Sequence, residues 1–156
     1  MIRHLIRWLA SRRAQALIEF ALIAPLMFVF LFTMVDFGIA LDRRITLQHA
    51  VREGARYAAV HTDALDIKQR TVDQAQDILD IADVDVCYMP NPDDENSDPG
   101  DPGSAVRVSA TFEYDLAILG PVLSGLFGGS SVGTISMTPS GTARLERGVE
   151  GAVECL

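Results

Sequence analysis

The sequence predicts an α+β protein: an N-terminal transmembrane helix continuing into a soluble helix, a second amphipathic helix, and then a small antiparallel sheet of about three strands. Three observations carry this prediction. Phe20 to Val35 is apolar and free of charge, small residues recur every fourth position after it, and apolar side chains alternate with period two in the C-terminal half.

At 156 residues the chain accommodates one ordinary domain and one membrane anchor. Residues 1–13 hold Arg3, Arg7, Arg12 and Arg13 without an acid, leaving nine basic against 21 acidic residues afterwards, a net charge of −12. Such a surface repels phosphate backbones, and no basic stripe with interleaved aromatics offsets it. Nucleic acid is therefore set aside as a partner.

On a helix rising 1.5 Å per residue, Glu19 and Asp36 stand about 25 Å apart. In a hydrocarbon core about 30 Å thick, both carboxyl groups then fall near the interfaces, and neither requires deep burial. A secretory signal peptide competes with this reading, since Gly38, Ile39 and Ala40 could mimic a cleavage site, but its apolar region of about 7–15 residues is shorter than the run seen here. Arg43, Arg44, Arg52 and Arg56 match the leader arginines in number, so charge alone does not orient the span. Pro25 is compatible with a membrane helix whose neighbours satisfy the freed carbonyl.

Beyond the anchor, Ala50, Gly54 and Ala58 form a stripe of small side chains that admits another backbone, either this chain's own sheet or another subunit. A second helix is expected from Asp63 to Ala82, capped by Asp63, with Leu65, Val72, Ala75, Leu79 and Ala82 on one face. Period two then sets in at Val84, Val86 and Tyr88. It is clearest from Ala105 to Tyr114, where Val106, Val108, Ala110, Phe112 and Tyr114 share a face. A third strand region spans Gly133 to Leu145, with Pro139 and Gly141 interrupting it as a bulge or turn.

Pro90 to Gly103 is an acidic loop rich in proline and glycine. Asp94, Asn96 and Asp98 imitate a calcium loop, but Pro99 stands at the required glycine and Ala105 at the closing glutamate, so a solvated loop is expected. Leu116 to Ser131 is unusually apolar for a connection. A short buried helix capping the sheet is expected there, with a subunit or membrane-surface contact as the alternative.

His4, His49 and His61 are scattered, and there is neither a nucleophile elbow nor a glycine-rich phosphate loop. Cys87 and Cys155 lie far apart without a CxxC pattern. No enzyme, no cofactor and no metal are expected, and the even cysteine count permits one disulfide.

The junction Arg12-Arg13-Ala14-Gln15-Ala16-Leu17-Ile18-Glu19-Phe20, running directly into the apolar segment, resembles a prepilin. It is similar to the TadE-like minor pseudopilins of the tight-adherence (Flp) pilus assembly system. Their leaders end in a small residue, usually glycine, before four variable residues and Glu-Phe or Glu-Tyr; here Ala14 takes the glycine position. The resemblance extends through Val35-Asp36-Phe37-Gly38 and Arg52-Glu53-Gly54-Ala55-Arg56-Tyr57-Ala58-Ala59.

The resemblance implies cleavage by a prepilin peptidase between Ala14 and Gln15, making Glu19 the fifth mature residue. It divides the chain into a basic leader peptide (1–14), a transmembrane anchor (15–41) and a soluble extracytoplasmic domain (42–156) that is expected to be pilin-like. The expected place is the cytoplasmic (inner) membrane, as a single-pass protein with its C-terminal domain outside the cytoplasm. The partners implied are the peptidase, other pilins or pseudopilins and the pilus assembly platform. Glu19 would neutralise the new α-amino group of a neighbouring subunit where water is scarce, or else simply favour the positive end of its own helix. An outward domain makes an intramolecular Cys87–Cys155 disulfide the expected pairing, with free thiols or an intersubunit bond as alternatives. The competing function is that of an uncleaved single-pass envelope protein whose outer domain binds a partner or ligand unrelated to pili.

Overall fold

The computed structural model describes residues 12–94, 96–128 and 134–155. Most of the basic leader, with His4, therefore lies outside the described residues, as do Gly133 of the third strand region and the end of the Leu116–Ser131 stretch.

Helix α1 runs from Arg12 to Ala58, 47 residues, and continues through Pro25. From Phe20 to Val35 it is free of charge and apolar on nearly every side, and Leu17, Phe20, Leu22, Leu26 and Phe30 are all exposed. It is long and apolar enough to cross a membrane. The Thr33 hydroxyl donates to the Val29 carbonyl at 2.7 Å, so the one hydroxyl in this run is satisfied by its own helix.

The chain forms two compact units. One takes in the chain up to Gly38 together with Leu116–Gly133; the other takes in Ile39–Asp115 and Thr134–Leu156. In the first unit, a nine-residue helix, α3 (Leu119–Phe127), ends at Gly128 in the left-handed conformation that glycine adopts without strain. The apolar connection is thus helical, as its sequence suggests, but it groups with the anchor segment rather than with the sheet.

In the second unit, strands β1 (Val84–Met89), β2 (Ala105–Ala110) and β5 (Ser140–Arg144) form an antiparallel sheet in the order β1-β2-β5. The register pairs Val86 with Val108, Tyr88 with Val106 and Val106 with Ala143, which places one apolar parity of all three strands on a common face. The single strand expected from Ala105 to Tyr114 is divided at Thr111. Its second half, β3 (Phe112–Asp115), pairs separately with β4 (Thr134–Met137) through Phe112↔Met137 and Tyr114↔Ile135. Its apolar parity survives the division, since Phe112 and Tyr114 still pack against the core.

The second helix is shorter than its periodicity suggests. Helix α2 spans Ala64–Gln74, and Asp63 caps it by accepting from the amides of Leu65 at 2.8 Å and Asp66 at 3.4 Å. Gln76 and Asp77 then adopt positive φ, a conformation that no α-helix can contain, and a 3₁₀ turn at Ile81–Asp83 leads into β1. Leu65 and Ala82, expected on the buried face, are exposed, whereas Ile67 and Thr71 take the buried positions.

Two glycines determine how closely the C-terminal half of α1 packs. A methyl group at Gly54 would overlap the Thr71 side chain of α2 and reach Val108 of β2 at 3.4 Å. A methyl group at Gly141 of β5 would stand 2.7 Å from the Val51 carbonyl. Backbone thus meets side chain at one position and backbone meets backbone at the other, and Gln48 adds a hydrogen bond to the Ser140 carbonyl at 2.9 Å.

The C-terminal tail pairs with β1 on the side away from β2. Tyr88 donates to the Val153 carbonyl at 2.8 Å, and Cys155 donates to the Tyr88 carbonyl at 3.0 Å. A disulfide joins Cys87 to Cys155, with Cα atoms 4.9 Å apart and 68 residues of separation. For a loop of that length the chain-entropy account gives about 4 kcal/mol of stabilisation.

The Gly54 contact yields a thermodynamic prediction. Alanine in place of glycine inside a helix gains up to about 1 kcal/mol from propensity, but overpacking costs about 1–3 kcal/mol, so Gly54→Ala should destabilise the protein. Adding Thr71→Ala removes the obstructing atoms and should recover most of the loss. Thermal denaturation of the full chain in detergent, followed by circular dichroism, measures both. A Gly54→Ala variant as stable as the parent would contradict the contact.

Candidate functional site

The predicted processing site lies in the first turns of α1. Ala14 and Gln15 already have helical backbone, at an end where the first amides of a helix have no partner within it. The Gln15 side-chain amide donates to Glu19 Oε1 at 3.2 Å. Residues four apart share a helical face, so Glu19 lies over the position where cleavage after Ala14 would create an α-amino group. Phe20, the other predicted member of the motif, is 66% exposed.

Asp36 closes the charge-free run and is the position that sequence reasoning misjudged. It is fully buried rather than lying open at an interface. Its carboxyl group accepts from the Ile118 amide at 3.2 Å and from the Leu119 amide at 2.8 Å. These are the first amides of α3, whose own N-cap residue, Ile118, has no side chain that could accept them. A residue 82 positions earlier in the chain supplies the cap. The signals in the sequence are an acid embedded in Val35-Asp36-Phe37 and an apolar helix with no Ser, Thr, Asp or Asn at its start.

The predicted stripe Ala50, Gly54 and Ala58 is buried inside the protein's own fold, with Gly54 against α2 and β2. Within Arg52-Glu53-Gly54-Ala55-Arg56, the small residues face inward while Arg52 and Arg56 are exposed. Glu53 accepts from Arg56 at 3.2 Å and lies 3.6 Å from Arg70. The Arg56 hydrogen bond, chiefly, holds its carboxyl below the usual range. The group is open to solvent, so this network marks a charged surface more than a source of stability.

The acidic loop uses its side chains on its own backbone. Asn91 accepts from the Asp93 amide, Asp94 from the Asn96 amide and Asp101 from the Asp98 amide, each within 3.2 Å. No group of three or more His, Cys, Asp or Glu residues suited to a metal occurs among the described residues. An open depression of about 270 Å³ is lined by Asn91, Asp93, Thr142 and Arg144, which offer hydrogen bonds and charge but no nucleophile paired with a base.

The polar positions of α1 are therefore of two kinds: an exposed carboxyl at the entry to the apolar run and a buried one at its exit. Residues 14–56 match the model of the family described as TadE-like protein. No curated protein and no solved structure matches the chain. The matched stretch begins at Ala14 and ends at Arg56, taking in Gln15, Glu19, Asp36 and Gly54, so over residues 14–56 the chain is similar to the TadE-like family.

Proposed function

We propose that this protein is a minor pseudopilin of a tight-adherence (Flp) pilus assembly system. The observation that carries the reading is the TadE-like match over residues 14–56, which coincides with the helix able to cross a membrane. In this account the chain is inserted in the cytoplasmic membrane with its C-terminal domain outside, and a prepilin peptidase removes residues 1–14. Its work is binding: α1 contacts other pilins, pseudopilins or the assembly platform within the bilayer, and the outer domain supplies further contacts.

Glu19 would have a direct part in that binding. Cleavage after Ala14 replaces a peptide bond by an α-ammonium group one helical turn from Glu19, in a setting with little water. An unpaired charge there is costly, and a carboxylate from the same or a neighbouring subunit offsets it. The apolar circumference of α1 contributes close packing without directional bonds, so the ammonium–carboxylate pair would set the axial register between subunits.

One observation favours the second reading, an uncleaved single-pass envelope protein whose outer domain binds something unrelated to pili. The Ala14–Gln15 bond lies in helical backbone from Arg12 onward, whereas a peptidase requires an accessible strand of chain. The two readings differ in mass. Co-expression with an active prepilin peptidase should give a product beginning at Gln15 by intact-mass analysis; retention of the full leader would contradict the pseudopilin reading.

Glu19→Ala leaves the apolar run intact, so membrane insertion should persist while pilus assembly or partner association is lost. Fractionation and piliation assays on the variant measure both. Normal piliation would reduce Glu19 to a charge at the end of its own helix.

A further inference from the structure

Leu116–Phe127, LAILGPVLSGLF, contains no charge and a single hydroxyl. The Ser124 hydroxyl donates to the Pro121 carbonyl at 3.1 Å, so it too is satisfied within the segment. Helix α3 is nine residues, about 13 Å long, and cannot span a hydrocarbon core of about 30 Å. A helix without a polar face is stable where apolar matter surrounds it. The protein does not provide this on every side: Pro121 and Gly125 are exposed, and a methyl group built on Gly120 or Gly125 would meet nothing within 4 Å.

Hydrogen bonding shows where the helix starts. Asp36 holds the Ile118 and Leu119 amides, and Asp36 is the residue at which the charge-free run of α1 ends. The start of α3 is thereby tied to the level at which α1 leaves an apolar medium. Next to Asp36 along the helix, the α1 side chains Leu31, Met34, Val35 and Phe37 are exposed and apolar. Backbone that enters the hydrocarbon region from that level needs its amides satisfied from within the protein, because water is lost there. A buried carboxyl group aimed at two otherwise uncapped amides meets that need.

We propose that α3 is a second membrane contact, a short helix docked among the lipid acyl chains of the leaflet at the C-terminal end of the anchor, with Asp36 as its cap. The proposal rests on the reading that α1 spans a bilayer. The occupant of the open side of α3 is lipid.

The test uses the full chain with Trp8→Phe, reconstituted in phosphatidylcholine vesicles containing some phosphatidylglycerol, and carrying either Gly125→Trp or Phe28→Trp as the only tryptophan. Lipids brominated near the glycerol end or near the chain end quench tryptophan according to depth. Phe28→Trp should be quenched best by the deep bromines and Gly125→Trp by the shallow ones. Quenching of Phe28→Trp without quenching of Gly125→Trp would overturn the docking while leaving the anchor intact; absence of both would overturn the span and the docking with it. Loss of Gly125→Trp quenching as protein is concentrated in the bilayer would identify a second copy as the occupant and likewise overturn the proposal. Adding Asp36→Ala should abolish most of the Gly125→Trp quenching without affecting Phe28→Trp, whereas Asp36→Asn, which keeps an acceptor, should retain much of it. Unchanged quenching in Asp36→Ala would refute the capping role.

Discussion

A backbone amide withdrawn from water must find an acceptor, and leaving one unpaired costs about 1–3 kcal/mol. At the start of α3, where neither Ile118 nor its neighbours can cap, that acceptor is Asp36 of α1. The first compact unit depends on this contact: it joins two segments separated by more than 80 residues and gives the apolar connection a defined starting point. It also explains why an acid is tolerated in an apolar helix. The Asp36 oxygens are removed from solvent but not from hydrogen bonds, and the positive end of a helix dipole lies against them.

The second unit is governed by close approach rather than by charge. Gly54 admits Thr71, Gly141 admits the Val51 carbonyl, and both contacts bring α1 nearer its neighbours than any larger residue would allow. Thr71, the buried hydroxyl at the first contact, donates back to the Ile67 carbonyl at 2.9 Å and so leaves no polar atom unsatisfied there. At the other edge the tail covers the free side of β1 and is held covalently at Cys87. The helix that carries the TadE-like match is thus also a structural element of this unit, through Leu47, Ala50, Val51, Ala55 and Ala58.

Much of this was legible because periodicity reports burial directly. The alternation of Val106, Val108 and Ala110 identified the inner face of the central strand, and Asp63 identified the start of α2. The features that escaped depend on partners distant in sequence or on local backbone. Nothing in the residues 105–114 announces that the strand is interrupted at Thr111, even though its amide still donates to the Asp83 carbonyl at 2.9 Å in the register of β1 and β2. The end of α2 is set by positive φ at Gln76 and Asp77, residues with no glycine to signal it. Asp36 was visible as a charge at the end of an apolar run, but its burial follows from a helix 82 residues later, which no local pattern encodes.

The central claim is that Asp36 caps α3. Hydrogen–deuterium exchange of the full chain in lipid nanodiscs tests it at the atoms concerned. The Ile118 and Leu119 amides should exchange slowly in the parent protein and much faster in Asp36→Ala, while amides of the β1-β2-β5 sheet remain unchanged. Equal protection of Ile118 and Leu119 in the two proteins would contradict the account.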